Sequence, residues 1–349
     1  MAAPVVIVLA AGEGKRMHSA LPKVLHPIAG RSLLGHVIEA AASVEPADLM
    51  VVIGHGRDEV AAHLDEVAPW VDTVVQGEQR GTGHAVRIAV EALVASGRMD
   101  ATSGSVIVLC GDTPLLTGAT VRDLLAEHRA SGSAATVLTA DLDDPSGYGR
   151  IVRRADGAVE AIVEHRDAGP EVLAIPEINS GMYAFEPGDL VPALESLTAD
   201  NAQGEEYLTD VISMLSREGR PVAALKVPDA DEILGVNDRV QLATAAAIMR
   251  DRINEKWMLA GVSILQSEAT WIDIDVDLAQ DVVLLPQTFL RGPTSIGRGA
   301  RIGPGTTLTT CEVGEGASVI HTWADLAVIG NDASVGPFTY LRPGTRIGD

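Results

Sequence analysis

From Ile272 onward one apolar residue recurs at every sixth position. Ile272, Leu278, Leu284, Leu290, Ile296, Ile302 and Leu308 share a single phase. The register then slips by five to Val313 and Val319, and resumes as Ile329, Val335, Leu341 and Ile347. Glycine follows the apolar residue in Ile296-Gly297, Ile302-Gly303, Val313-Gly314, Ile329-Gly330, Val335-Gly336 and Ile347-Gly348. A helix repeats at 3.6 residues and a strand at 2, so neither accounts for a period of six. Hexapeptide repeats build a parallel β-helix whose flat faces stack aliphatic residues inward. Chance spacing supplies three such positions, not seven in phase followed by a run of four.

The residues before this tail follow a different rule. Val5–Ala10, Leu49–Gly54, Val71–Val75 and Ser105–Cys110 read as strands, and Ser32–Val44, Thr82–Ala95 and Thr117–Ala130 as helices. That alternation predicts a parallel sheet covered on both faces. Such sheets bind ligands at the carboxyl ends of their strands, which singles out the loops Ala10–Pro22, Gln76–Gly81 and Gly111–Pro114. Ile178–Phe185 and Val222–Val227 read as further strands and Glu206–Arg217 as a helix of the same α/β region. Asn237–Ala260 is the longest helix candidate, with Asp238 placed to cap it and Gly261 to end it. A length of 349 residues fits roughly two domains. The expected division is an α/β domain over 1–239, a linker helix over 240–260 and a β-helix over 261–349.

Composition excludes several classes. Net charge is −22, which argues against a nucleic-acid surface but not against a nucleotide held by a few local groups and a metal ion. No run of 18 uncharged apolar residues is present, so no membrane span is expected. The N-terminal apolar run lacks a basic leader and passes straight into glycines and charge, so it reads as a first buried strand. Cys110 and Cys311 lie far apart and suggest no disulfide framework, which fits a reducing, cytoplasmic setting.

The loop after the first strand is Leu9-Ala10-Ala11-Gly12-Glu13-Gly14-Lys15-Arg16-Met17, with Pro22-Lys23 downstream. Its glycines let a ligand approach the backbone, and its amides can meet phosphate oxygens. Arg16 and Lys23 supply positive charge. Met17 stands where the dinucleotide fingerprint has its third glycine, and the Gly-Lys-Ser/Thr of a Walker A loop is missing, so a nicotinamide dehydrogenase fails on the glycine pattern. Gln76 with Gly81-Thr82-Gly83-His84-Ala85 falls in the next such loop, and Gly111-Asp112-Thr113-Pro114 follows the fourth strand. Gly147-Tyr148-Gly149-Arg150, Val163-Glu164-His165, Asn179-Ser180-Gly181 and Gly235-Val236-Asn237 come further on.

In this order and approximate spacing, these segments resemble the bifunctional N-acetylglucosamine-1-phosphate uridyltransferase/glucosamine-1-phosphate acetyltransferases. The resemblance covers essentially the whole chain, and the hexapeptide tail is similar to that family's second domain. It implies a Rossmann-like nucleotidyltransferase domain, a linker helix and a partial left-handed β-helix. It implies an enzyme that transfers uridylyl from UTP to N-acetylglucosamine 1-phosphate, giving UDP-N-acetylglucosamine and pyrophosphate, and a homotrimer. By the same resemblance, Leu9, Ala10, Ala11, Gly12, Gln76, Gly81 and Thr82 would hold the uridine nucleotide. Arg16 and Lys23 would act on the phosphates, and Asp112 and Asn237 would bind Mg²⁺. Gly149, Glu164 and Asn179 would hold the sugar, with Cys110 and Gly111 lining the same pocket. Lys15 stands where the family usually has Thr, Asp238 where a second Asn is common, and Cys110 where residue type varies.

Physical chemistry suits these assignments. Mg²⁺ prefers oxygen ligands and keeps several waters, so one carboxylate and one amide oxygen suffice beside phosphates. The attacking sugar phosphate is already anionic, so no general base is needed and alignment with charge neutralisation carries the reaction. The closest rivals are an adenylyl- or guanylyltransferase of another sugar phosphate and a non-catalytic protein using the β-helix as a trimerisation module. The Gly-Thr-Gly-His-Ala, Asn-Ser-Gly and Gly-Val-Asn segments favour the uridylyl enzyme, and the presence of Lys23 and Asp112 opposes the non-catalytic reading. The family builds its acetyl-transfer site from coils beyond a Leu-Arg-Pro-Gly segment. Here that segment is Leu341-Arg342-Pro343-Gly344, leaving Arg342 as the remnant, so acetyl transfer from acetyl-CoA is not expected of these residues.

Overall fold

The computed structural model describes residues 2–100 and 102–349. Contacts divide the chain into two units, one formed by the residues up to His26 with Leu33–Arg239, the other by Pro27–Ser32 with Val240–Asp349.

The first unit is built on one large sheet. Its strands run in the order Val222–Lys226, Ala135–Asp141, Glu177–Phe185, Val106–Cys110, Val5–Ala10, Asp48–Ile53 and Asp72–Val75. The central strands are near-continuous Val, Ile, Leu and Met because both of their faces are covered. One face carries Val5, Ile7, Met50, Val52, Val106 and Val108, packed by helices Thr82–Ala95, Pro187–Glu195 and Thr209–Arg217. The other carries Val6, Val8, Leu49, Val51, Ile107 and Leu109 beneath helices Leu33–Ala42, Arg57–Val67 and Gly118–Ser131. Helix Gly118–Ser131 begins at Thr117, whose Oγ1 accepts the Thr120 amide at 3.2 Å, and ends at Gly132 with φ of 61°.

The sheet is not wholly parallel. Glu177–Phe185 runs antiparallel to both Val106–Cys110 and Ala135–Asp141. The chain reaches it through the hairpin Arg150–Arg153/Val159–Val163, which returns it to the sheet from the opposite end. A register shift between Asn179 and Tyr183 marks a bulge, where Gly181 adopts φ of 78°.

Helix Arg239–Leu259, which belongs to the second unit from Val240 onward, buries Ala245, Met249, Ile253 and Asn254. The Asn254 amide donates to Ser267 O and Thr270 O at 2.9 and 3.0 Å, which pins the helix to the first coil. Gly261, with φ of 99°, ends it. The rest is a left-handed parallel β-helix of three five-stranded sheets. One inward column runs Ile272, Leu290, Leu308, Ala324, Leu341, and the in-phase residues from Ile272 to Leu308 are all buried. Ala324 fills the interval between Val319 and Ile329 in the sequence pattern. Thr270, Thr288, Thr306 and Thr322 stack beside this column, and their hydroxyls bond carbonyls, as Thr288 Oγ1 does to Leu285 O at 2.7 Å. A buried hydroxyl is tolerated because it is paired. Hairpin Pro27–Ile28/Arg31–Ser32 joins this unit: Ala29 O accepts the Ile274 amide at 2.9 Å, and Arg31 pairs with Asp275 at 3.2 Å.

Candidate active site

Strand register brings the candidate residues to one sheet edge. Leu9 pairs with Cys110, Ala10 with Ile53 and Ile53 with Val75, so Ala11, Gly111 and Gln76 leave the sheet side by side. The antiparallel strand delivers Asn179 to this edge from its amino end, because Tyr183 pairs with Val108 and Phe185 with Val106.

A cleft of about 310 Å³ opens there. That is at the small end of the range for ligand pockets. Ten of the sequence-selected residues line it: Leu9, Ala10, Ala11, Gly12, Lys23, Gln76, Gly81, Thr82, Cys110 and Asp112. Val24, Gln79, Ala85 and Glu205 complete the lining. Gly111 lies just behind, its amide donating to Leu9 O at 2.9 Å. Arg16 stands exposed on the turn Lys15–Met17, outside this lining, and Lys15 pairs with Glu13 at the surface. Arg342 belongs to the second unit and is exposed.

At the floor of the cleft Lys23 Nζ forms a close ion pair with Asp112 Oδ2 and donates to Asn237 Oδ1 at 3.2 Å. Two residues far apart in sequence, Asp112 and Asn237, thus converge on one cation, the Lys23 ammonium. The Val236 amide donates to Asp112 O at 2.9 Å, which holds the Asn237 loop against the Asp112 turn. Two oxygens aimed at a single positive charge are the donor set a hard divalent cation uses beside phosphates. Among the described residues no group of three or more His, Cys, Asp or Glu side chains could hold a metal unaided. A metal completed by substrate phosphates and water does not need one.

The Gln76 amide nitrogen donates to Gly81 O at 3.1 Å and meets His84 Nδ1 at 3.2 Å. His84, read from sequence as an ordinary helix-start residue, therefore sets the orientation of Gln76. Gln79 donates to Ala11 O at 2.7 Å and ties the glycine loop to the next one. Sequence reasoning passed over Gln79, although its place three residues after Gln76 was the available signal.

Gly149, Glu164 and Asn179 form a second cluster. The Asn179 amide donates to Gly149 O at 2.9 Å, and Asn179 Oδ1 accepts from the Gly181 amide at 3.0 Å and from Tyr183 OH at 2.9 Å. A Cβ on Gly149 would stand 3.5 Å from Glu164 Oε2 and 3.6 Å from Asn179 Cβ, so glycine keeps this wall low. Cys110 links the two clusters, its thiol donating to Gly181 O at 3.4 Å. Burial, reinforced by Asp112, pushes that thiol up to about 12, so it is a neutral wall rather than a nucleophile. Burial also raises the Glu164 carboxyl, with Asp167, Asp210 and Glu205 adding to the effect and Thr209 opposing it.

Comparison with known proteins finds relatives over most of the chain. Residues 6–218 match the model of the MobA-like NTP transferase domain. A bifunctional protein GlmU of Streptomyces avermitilis is 54% identical over 344 residues, which is 98% of this chain and 70% of that protein. The protein of the same name in Thermobifida fusca is 55% identical over 325 residues, 93% of this chain and 67% of the relative. That of Corynebacterium efficiens is 52% identical over 347 residues, 98% and 70% of the two chains.

Proposed function

The chain belongs to the family of bifunctional GlmU proteins through its MobA-like NTP transferase domain, and from that premise we propose how its residues carry out the chemistry. It is a nucleotidyltransferase that makes UDP-N-acetylglucosamine from UTP and N-acetylglucosamine 1-phosphate, and the family works with a divalent metal. Our reading is that Asp112 and Asn237 hold Mg²⁺. The contact of Lys23 with both of their oxygens carries it, because the ammonium stands where a cation is wanted. When bound, the metal neutralises charge on the phosphates.

In this reading the backbone of Leu9–Gly12 and the Gly81-Thr82 turn take up the nucleotide. The Gln76 nitrogen is already engaged, so its carbonyl oxygen faces the uracil N3–H. Gly149, Glu164 and Asn179 hold the sugar hydroxyls and the N-acetyl amide. A phosphate oxygen of the sugar then forms its bond to the α-phosphorus of UTP while the α–β bridging bond breaks and pyrophosphate leaves. The nucleophile carries no proton to remove. Lys23 shifts from Asp112 to the phosphates, and Arg16, on its exposed turn, neutralises the departing pyrophosphate.

The decisive experiment is incubation with UTP, Mg²⁺ and N-acetylglucosamine 1-phosphate, with pyrophosphate as the readout. Release that depends on all three supports the reading, and equal release from ATP overturns it in favour of an adenylyltransferase. Among the described residues no helix is long and apolar enough to cross a membrane, and we place the enzyme in the cytoplasm. We further propose a homotrimer formed through the β-helix. Light scattering showing only the monomer at high concentration overturns that.

A further inference from the structure

The segment Glu206–Thr209 touches both clusters of the cleft. On the nucleotide side Glu206 O accepts the Gly83 amide at 2.8 Å, the Glu206 amide donates to Arg80 O at 2.7 Å, and the Leu208 amide donates to Thr82 Oγ1 at 3.1 Å. A Cβ on Gly81 or Gly83 would meet Glu206 O at 2.5 or 2.9 Å, so the approach is as close as backbone allows. The buried Glu206 carboxylate pairs with Arg80 at 2.5 Å and Arg87 at 2.7 Å, which anchors the segment. On the sugar side Thr209, only 4% exposed, donates its hydroxyl to Glu164 Oε1 at 3.3 Å.

That bond has a directional effect. With Oε1 occupied by Thr209, Oε2 is the oxygen presented along the Gly149 wall. The charged groups that act on Glu164 are acids, namely Asp167 on its own loop and Glu205 and Asp210 at the two ends of the segment, just outside it, and the Tyr183 and Tyr207 phenols in turn feel its charge. The Thr209 hydroxyl is therefore the donor that favours an ionised, correctly turned carboxylate in an otherwise repelling setting.

We propose that Thr209 is a positioning residue for the sugar subsite, fixing the Glu164 carboxylate, and that the Glu206–Thr209 segment ties this subsite to the nucleotide turn at Gly81–Gly83. The inference rests on the reading of Glu164 as a sugar contact.

Thr209→Val keeps the shape and removes the donor, and Thr209→Ser keeps the donor. Steady-state kinetics of the whole chain with UTP, Mg²⁺ and N-acetylglucosamine 1-phosphate, run from neutral into acid pH, separate the possibilities. In the Val variant the KM for the sugar phosphate should rise about tenfold while that for UTP moves less than about twofold, the scale of one hydrogen bond to a charged group. The acid limb of kcat/KM for the sugar phosphate should move to higher pH, because the ionised carboxylate has lost its donor. The Ser variant should keep the wild-type limb. An unmoved limb and KM in Thr209→Val overturns the proposal, as do equal losses for both substrates that Ser fails to restore. A wild-type chain that releases no pyrophosphate instead removes the catalytic reading beneath it, and does so before any variant is made.

Discussion

Asp112→Asn takes one charge from the floor of the cleft and leaves the shape. The carboxylate pairs with Lys23, and the two side chains are 20% and 11% exposed. Water reaches the pair, so its Coulombic worth is discounted, and an asparagine oxygen still accepts from the ammonium. The Val236–Asp112 main-chain bond does not involve the side chain. Stability should fall by about 1 kcal/mol, the net worth of one hydrogen bond. Turnover should suffer far more. Losing a preorganised electrostatic group costs roughly 10²–10³ in kcat, about 3–4 kcal/mol of barrier. Pyrophosphate release at saturating substrates, repeated over rising Mg²⁺ and set beside the thermal melt, makes the check. Lys23→Ala should act in the opposite sense on the metal. Without the ammonium bridging Asp112 and Asn237, Mg²⁺ should bind the substrate-free chain more tightly while kcat still falls. Turnover of Asp112→Asn within tenfold of wild type, with an unchanged Mg²⁺ dependence, would refute the shared cation site.

Gln76→Ala should erode the preference for UTP over ATP and GTP by at least tenfold, since a mismatched base no longer leaves buried polar groups unpaired; competition among the three nucleotides measures it. Burial raises the Glu177 carboxyl, but the two hydrogen bonds from Arg153, at 2.6 and 2.8 Å, and one from Thr139 outweigh it and leave it below the usual carboxylate range. Its folded value lies under its unfolded one, so the stability it gives is complete above the ordinary carboxylate pKa and lost as pH falls through the lowered one. Glu177→Gln should flatten that part of the acid limb in melts followed against pH. Leu308→Ala, at a fully buried place in the β-helix column, should cost about 2–5 kcal/mol by urea denaturation.

The β-helix was legible because its interior admits little choice. Each inward position takes an aliphatic residue, and the spacing of those residues is the fold. The pattern slipped at Val313 and blurred at Ala324, whose small side chain did not stand out between Val319 and Ile329 although it is fully buried in the same column as Leu308. In the first unit, strands and glycine-bearing loops showed themselves, but direction did not. The apolar run ending at Phe185 says that a strand is buried, while its antiparallel sense depends on where the preceding hairpin returns the chain. Helix Arg57–Val67 went unread because only Val60 and Leu64 are buried in it. Of the site residues that resemblance named, ten line the cleft and Gly149, Glu164 and Asn179 form the second cluster, while Gly111 and Asn237 adjoin the cleft and Arg16 and Arg342 stand exposed outside it. The side chains that orient them, His84 and Thr209, carry no signature of their own. Their roles arise from register and packing, not from spacing along the chain.

The hairpin Pro27–Ser32 also has a history in time. Its partners, Ile274 and Asp275, lie some 245 residues further along the chain. At a synthesis rate of about 5–20 residues per second, the hairpin leaves the ribosome roughly ten to fifty seconds before they do. During that wait the flanking residues, from Met17 and Lys23 on one side to Leu33 on the other, can take their places in the first unit while the six between them remain without their final neighbours. The newborn chain thus carries an unfilled appointment a few residues after Lys23 in sequence, kept only when the first coil of the β-helix arrives.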